Sequence, residues 1–334
     1  MQQIHRSVAE GVAAGDDFKS IKDCFHSLPK KKLGIFNSVV DAEGSPDSVS
    51  LAEDLEVAIR LASRMMTHPD SLSFFHGILT AGARYERDVA EGKPELEHYE
   101  FRATPSLTAD QKQETIKFLE DFGRHVWITE RGDLEAHGIT HEERVREYHE
   151  GSEAERLLWF DVEDVVTDEF TAKVSIDREL VAWTRGWRDP SSTMTVSQVQ
   201  QATFCLAATL SHEVVHAICL KLYPWNMFGR NLEAKEPFFE DECLAEAGMA
   251  WGNYLFAGNS EYEGNESGIV VSSWPTIYAM PEITFVNARD RELLEDESWL
   301  VVPEQVSEFF KESFWNSPAA AKTGSMRLVK GGEA

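Results

Sequence analysis

The longest uninterrupted pattern of apolar and polar positions runs from Val196 to Leu222, without glycine or proline. Thr195 and Gln198 have the spacing of a capping box before it, and Pro224 disfavours helical geometry after it. The pattern therefore predicts one long helix. Its core face repeats at intervals of three and four residues: Phe204, Ala208, Ser211, Val215, Ile218 and Leu222. A neighbouring stripe holds Gln201, Cys205, His212, His216 and Cys219.

Shorter patterns predict the other elements. Helices are expected over 51–66, 71–90 and 107–124, the last with a Thr108–Gln111 capping box, then from near Glu240 to Gly258, and from Pro303 with a core stripe. Extended segments are expected over 156–162 and 172–184, the second with a period of two that Arg178 interrupts. These elements predict an α+β fold that is mainly helical, with a small sheet before the 196–222 helix.

The 196–222 helix carries the sequence His212-Glu213-Val214-Val215-His216. Two histidines four residues apart lie on one helical face and can bind one metal ion. The glutamate between them can accept a proton from water activated at that metal. The pentapeptide therefore predicts a catalytic zinc site with one Zn²⁺ ion, with His212 and His216 as ligands and Glu213 as the general base.

A catalytic zinc usually has three protein ligands and one open position. No histidine follows His216, and Leu222 stands where a third histidine would complete H-E-x-x-H-x-x-G-x-x-H. The third ligand is therefore expected to be a downstream carboxylate. Five acids are candidates: Glu236, Glu240, Asp241, Glu242 and Glu246.

Glu242 is the preferred third ligand on geometric grounds. On a helix that begins near Glu240, Glu242 and Glu246 point from the same face. Glu246 could then accept the free ring N–H of a metal-bound histidine, or serve as the ligand itself.

An H-E-x-x-H helix followed by a glutamate on a second helix resembles the gluzincin group of zinc metallopeptidases. The segment Asp241-Glu242-Cys243-Leu244-Ala245-Glu246 also resembles the E-E-C-R-A-E segment of the dipeptidyl peptidase III family, whose zinc-binding acid maps onto Glu242. The resemblance covers about residues 195–258. It implies a zincin-like fold, a zinc cofactor and hydrolysis of peptide bonds. The implied organisation is a mainly helical N-terminal region over 1–150, a catalytic region over 151–316 and a flexible tail over 317–334.

Hydrolysis by such a site also needs a donor for the developing oxyanion. Peptidases of this group commonly use tyrosine, histidine or arginine. The downstream candidates are Tyr254, Tyr262, Tyr278 and Arg289.

A second histidine pair, His137 and His141, has the same spacing but has Gly138 where a base would stand. Thr140 resembles an N-cap, so the pair is interpreted as a loop and helix start. The four cysteines form no C-x-x-C, and they are expected to be buried thiols.

The composition of the chain limits the classes of partner that it is expected to bind. The chain of 334 residues has 32 basic and 58 acidic residues, a net charge of −26, which argues against nucleic acid and anionic membranes as partners. The N-terminus has no apolar run typical of a signal peptide, which together with few cysteines predicts a cytoplasmic location. The expected substrate is a peptide or a small molecule. Two alternatives stay open: a hydrolase of the same fold acting on a small molecule or non-peptide amide, and a zinc-binding protein without activity.

Overall fold

The computed structural model describes residues 32–36, 51–81, 84–86, 97–132, 134, 136–142, 170–189, 192–223, 236–240, 242, 245–262, 268–274 and 297–331. The helices of this part are α1 Leu51–Asp54, α2 Glu56–Met66, α3 Pro69–Thr80, α4 Ala109–Phe122, α5 Arg178–Thr184, α6 Val196–Leu222, α7 Ala247–Phe256, α8 Pro303–Glu308 and α9 Glu312–Trp315. The strands are β1 Arg84–Glu86, β2 Glu97–Phe101, β3 Val126–Arg131, β4 Gly138–Glu142, β5 Ala172–Asp177, β6 Phe238–Phe239, β7 Asn259–Tyr262, β8 Ile269–Ser272 and β9 Ser298–Leu300. This mixture of helices and strands confirms the α+β class.

Helix α6 is the centre of the molecule. The capping box predicted at its start is present, because Thr195 accepts from the Gln198 N–H and Gln198 accepts from the Thr195 N–H. α6 packs against α2, α5, α7, α8 and β4. It is long and apolar enough to cross a membrane by composition, but 83% of its most apolar window is buried inside the protein. It is therefore the core helix of this fold.

Burial of α6 differs from the two-stripe prediction. Between Val199 and Cys219, every residue is buried except Thr209, His212 and His216. These three follow one another at intervals of three and four residues, so they share one face. The only partly open stripe in this stretch of the helix thus contains both predicted metal ligands.

The described strands form three small sheets. One has the order β3-β5-β4, with β3 parallel and β4 antiparallel to β5. A second has the order β1-β2-β6, with β2 and β6 parallel, and the third is the antiparallel sheet β7-β8-β9. The first and third sheets both contact α6, through β4, β5, β7 and β8.

Several predicted element boundaries are wrong. The extended segment expected over 172–184 ends at Asp177, because the Asp177 side chain accepts from the Leu180 N–H and starts α5. Helix α3 ends at Thr80 rather than near residue 90. The predicted strand over 156–162 lies outside the described residues.

The C-terminal segment differs from the expected flexible tail over 317–334. Its described part is packed, with Ala320, Met326 and Leu328 buried. The buried ring of His68 lies within hydrogen-bonding distance of the Ala320 carbonyl, at 2.7 Å. The Leu328 N–H donates to the Phe256 carbonyl at the end of α7. One continuous apolar core extends through the described parts of the region expected over 1–150 and of the region expected over 151–316.

Candidate metal centre

The two histidines of the pentapeptide converge on one point. His212 and His216 lie one turn apart on the open stripe of α6, with their Nε2 atoms 2.9 Å apart. About a fifth of each side chain remains exposed, whereas the helix around them is buried. Both rings are therefore partly open to solvent, and His212 lines a cleft.

Glu246 supplies the third group. Its Oε1 atom lies 2.8 Å from Nε2 of His216 and 3.5 Å from Nε2 of His212. Within the described residues, these are the three side chains whose donor atoms cluster closely enough to share a metal ion. Tetrahedral zinc with bonds of about 2.0–2.2 Å separates its ligand atoms by about 3.3–3.5 Å, so small rotations of these side chains would fit the ion.

The position of Glu246 follows from the start of α7. Glu246 is the N-cap of that helix, and its Oε2 atom accepts the Met249 N–H. Capping holds one carboxylate oxygen and leaves the other directed at the histidines. Gly248 permits α7 to approach His212 closely, since a Cβ atom at residue 248 would lie 2.7 Å from Nε2 of His212.

Glu236 orients His216. Its Oε1 atom accepts from Nδ1–H of His216, and its Oε2 atom accepts the Ala247 N–H at 2.7 Å. This bond fixes the tautomer that presents Nε2 to the metal position. The sequence interpretation left Glu246 as either this supporting acid or an alternative ligand. Glu246 lies beside the Nε2 atoms, and Glu236 takes the supporting contact.

Protonated His216 and the neighbouring carboxylates stabilise one another in their charged forms. Burial alone would lower the pKa of His216, but the carboxylates of Glu236 and Glu246 raise it well above its usual range. Burial opposes ionisation of Glu246, and the neighbouring His216 and His212 outweigh this, which lowers its pKa to about 2. A metal ion that binds here replaces the proton on His216, because the histidine ligand must be neutral.

Glu213 is buried beside this group. It is 4% exposed, and its Oε1 atom lies 4.0 Å from Nε2 of His212. The Thr140 hydroxyl lies 2.7 Å from its Oε2 atom and 3.0 Å from its backbone carbonyl oxygen. Gly138 makes room for this carboxylate, since a Cβ atom there would lie 2.8 Å from Oε1. One carboxylate oxygen is thus held by Thr140, and the other lies 4.0 Å from Nε2 of His212.

This support comes from a segment that the sequence interpretation assigned wrongly. Gly138–Glu142 is not a loop and helix start but the strand β4, paired with β5 along its whole length. Thr140 is therefore a strand residue facing α6, and no N-cap. His137 lines the cleft next to Gly138, and the side chain of His141 lies outside the described residues.

Glu242, the preferred third ligand, lies outside the metal-binding group of the described residues. The geometric reason for choosing it is wrong, because the helix begins at Ala247 and Glu242 precedes it. Its Oε2 atom accepts from the indole N–H of Trp274 at 3.1 Å. Burial, together with Glu246, raises the pKa of Glu242 to about 8. The Glu242 carboxyl group is therefore held by Trp274 and contributes no donor atom to the group formed by His212, His216 and Glu246.

The remaining candidate ligands are Glu240 and Asp241, and the candidate oxyanion donors are Tyr254, Tyr262, Tyr278 and Arg289. Glu240 is exposed at the end of β6 with a left-handed φ of 49°. Tyr254 packs its ring against Phe74 and Phe239, and Tyr262 is buried against Trp183. Neither tyrosine lines the cleft. Asp241, Tyr278 and Arg289 lie outside the described residues.

A cleft of about 450 Å³ lies beside the metal-binding group, of which His212 contributes to the lining. Its floor is the segment of α6 from Ala208 to Glu213. One wall is formed by Leu134, Ala136, His137 and Gly138 with Asp177, and the other by residues between Met249 and Glu261. A small molecule or an extended chain can therefore reach both His212 and Glu213.

Comparisons of the chain with protein-family models, with curated proteins and with solved structures gave no match.

The role of Glu236 makes a testable prediction. Replacing Glu236 by alanine should weaken zinc binding by about 10- to 100-fold, the usual effect of removing a carboxylate that orients a histidine ligand. Stoichiometric binding at excess zinc should survive, because all three donor groups remain. Competition titration with a zinc chelator measures the change. Glu304→Ala, at an exposed position of α8, is the control. An unchanged zinc affinity in Glu236→Ala would contradict the role.

Proposed function

We propose that this chain is a zinc-dependent peptidase in which Glu213 is the general base. The observation that carries the proposal is the convergence of His212, His216 and Glu246, with His212 in the lining of an open cleft and the buried carboxylate of Glu213 beside it. Two histidines and a glutamate are a known ligand set of catalytic zinc. A zinc ion held by these three residues would supply Lewis acidity, which would bring the pKa of a water molecule near 7 and polarise a substrate carbonyl.

The residues of the chain have separable roles in this proposal. Glu213 accepts a proton from water at its free Oε1 atom and returns it to the leaving amine. Thr140 holds the other oxygen, so the carboxylate keeps one orientation through the proton transfers. Glu236 keeps His216 in the correct tautomer.

The position of β4 favours a peptide over a small molecule. Within the described part of the chain, β4 is at the edge of its sheet and one of its residues, Gly138, lines the cleft. An extended peptide can pair with such an edge by backbone hydrogen bonds. That pairing would bring a scissile carbonyl next to Glu213, which β4 contacts.

The direct test is a peptide library incubated with protein that has been stripped of metal and then reloaded with zinc. The proposal expects cleavage by the reloaded protein and none by the stripped protein. Absence of cleavage across the library would refute the peptidase assignment, as would cleavage that a chelator leaves unchanged. A screen of small amide substrates then tests the alternative hydrolase.

His137 is the proposed donor to the oxyanion. It lines the cleft together with His212 and Glu213, whereas Tyr254 and Tyr262 are occupied in packing. His137→Phe should lower kcat by about 100-fold, the usual effect of losing one oxyanion donor, with little change in zinc content. His137→Gln retains an N–H donor and should recover part of the rate. Equal kcat in wild type and His137→Phe would exclude this role.

A further inference from the structure

A buried histidine joins the start of α3 to the C-terminal segment. Residues 319–325, named the C-terminal loop, are connected to the first turn of α3 at two points. His68, the N-cap residue of α3, is 3% exposed, and its Nε2 atom lies 2.7 Å from the Ala320 carbonyl oxygen. The buried carboxylate of Asp70 accepts the Gly324 N–H at 2.7 Å. Two residues of α3 therefore hold the loop near both of its ends.

The contacts of the His68 ring require its neutral form. Nδ1 accepts the Asp70 N–H at 3.2 Å and therefore carries no proton, so Nε2–H donates to the Ala320 carbonyl. The Ser325 hydroxyl lies 2.9 Å from Nε2 and donates to the same carbonyl at 2.8 Å. A neutral imidazole has one donor and one acceptor, and both are used in these contacts. Protonation would place an N–H at Nδ1 opposite the N–H of Asp70.

The acceptor nearest to such a proton is already used. Oδ2 of Asp70 lies 3.7 Å from Nδ1 of His68, and it is the atom that accepts the Gly324 N–H. A protonated ring either competes with Gly324 for this oxygen or leaves a buried donor unsatisfied, and both outcomes weaken the closed loop.

The charges around the ring agree with this reasoning. Burial lowers the pKa of His68, although the Ala320 carbonyl and the Asp70 carboxylate act in the opposite direction. Asp70 also interacts with Tyr254 of α7, which in turn interacts with Arg327. Burial raises the pKa of Tyr254, so this side chain stays neutral. Asp70 is therefore the charged partner of His68 within the described residues.

The same turn of α3 also supports the cleft. The buried Ser71 hydroxyl accepts from the indole N–H of Trp251 at 3.2 Å, and Trp251 lines the cleft on the α7 side. The C-terminal loop and the cleft wall are thus attached to adjacent residues of one helical turn.

We infer that His68 is a pH-sensitive switch that releases the C-terminal loop from α3 when the solution becomes mildly acidic. Above about pH 6.5, the ordinary pKa of histidine, the ring is neutral and the loop stays closed. Because the pKa is lower in the closed state, the released state binds more protons as the pH falls below 6.5. The ratio of closed to released loop then falls by up to about tenfold per pH unit. The switch does not depend on metal binding or on hydrolysis.

Amide hydrogen exchange of the full chain, followed by mass spectrometry and corrected for the intrinsic exchange rate at each pH, measures the release. Peptides that cover 319–325 should lose about tenfold in protection between about pH 6.5 and 5.5. Peptides from α6 should keep their protection over the same range. Unchanged protection of the loop would overturn the inference, as would simultaneous loss in the loop and in α6, which indicates global unfolding.

Two variants separate His68 from other titrating groups. His68→Asn retains a side-chain acceptor for the cap of α3 but does not titrate, so loop protection should change by less than about twofold over this range. His76→Asn removes a partly buried histidine of the same helix and should keep the wild-type response. A wild-type response in His68→Asn would refute the switch.

The His68 ring signal provides a second readout in wild-type protein, which decides the question if asparagine leaves the loop open at every pH. Titration of this ring by NMR should have the same midpoint as the loss of loop protection. Midpoints that differ by more than about one pH unit would show that another group controls the loop.

Discussion

Replacing Glu213 by glutamine is expected to lower kcat by about 1,000-fold or more while zinc stays bound. The amide has the same shape and can still accept from the Thr140 hydroxyl at the position of Oε2. It cannot accept a proton from water, so the general-base contribution, typically about 100- to 10,000-fold, is lost. The three proposed ligands are untouched, which predicts one zinc per chain in both proteins.

Steady-state kinetics and elemental analysis on the same preparations measure both quantities. Thr140→Val is the matched control, because it removes the hydroxyl that orients Glu213 but keeps the carboxylate and the β-branched shape. It should lower kcat by a smaller factor than Glu213→Gln. If zinc-loaded Glu213→Gln keeps the wild-type rate on any substrate, the proposed mechanism is wrong.

Replacing Glu246 by alanine should reduce zinc affinity by at least about 100-fold, because it removes one of three donor groups and leaves two histidines. The same change at Glu242 should alter affinity by less than about threefold. Glu242 is four residues away in the sequence, accepts from Trp274, and has a pKa raised to about 8 by burial and by Glu246. The pair therefore compares two partly buried glutamates, of which only Glu246 lies beside the histidines.

Chelator competition on the two variants and on wild type gives the affinities, and thermal unfolding of the metal-free proteins controls for folding. Glu246 also caps α7, so Glu246→Gln is a useful second variant that can retain the bond from the Met249 N–H. A larger loss of affinity in Glu242→Ala than in Glu246→Ala would reverse the assignment.

Local signals in the sequence were sufficient for the helix that carries the site. The capping boxes at Thr195 and Thr108 are present, and α6 has the predicted bounds. Such caps and breaks depend on neighbouring residues alone, so they can be read without knowledge of the fold. His212, Glu213 and His216 are accordingly found on one helix beside one cleft.

The identity of the third metal-binding residue depends on long-range contacts, which cannot be predicted from neighbouring residues in the sequence. The acidic stretch after Glu236 resembles a helix start, yet Phe238–Phe239 pairs with β2 from far upstream. Glu240 then takes a left-handed φ, and α7 begins only at Ala247. A long-range pairing therefore shifts the helix start, and Glu246 rather than Glu242 lies beside the histidines. Glu236 was among the candidates, but nothing local indicated that it would reach His216.

The contact of β4 with Glu213 was not predicted, because it too depends on a long-range strand pairing. The four-residue spacing of His137 and His141 suggested a second pair, and Gly138 suggested a loop. The stretch Gly138-Ile139-Thr140 does have β-branched residues, which favour a strand. Only the pairing of β4 with β5 shows why glycine and threonine occur there: one makes space for the carboxylate of Glu213 and the other donates to it.

The most direct measurement is a crystal structure of the zinc-loaded protein with anomalous data collected at the zinc edge. The account predicts one strong anomalous peak, about 2.0–2.2 Å from Nε2 of His212, Nε2 of His216 and Oε1 of Glu246, with an open fourth position towards the cleft and Glu213. A peak elsewhere would contradict it, as would a zinc ion at this position bound by Glu242 in place of Glu246, or an ion closed off by a fourth protein ligand.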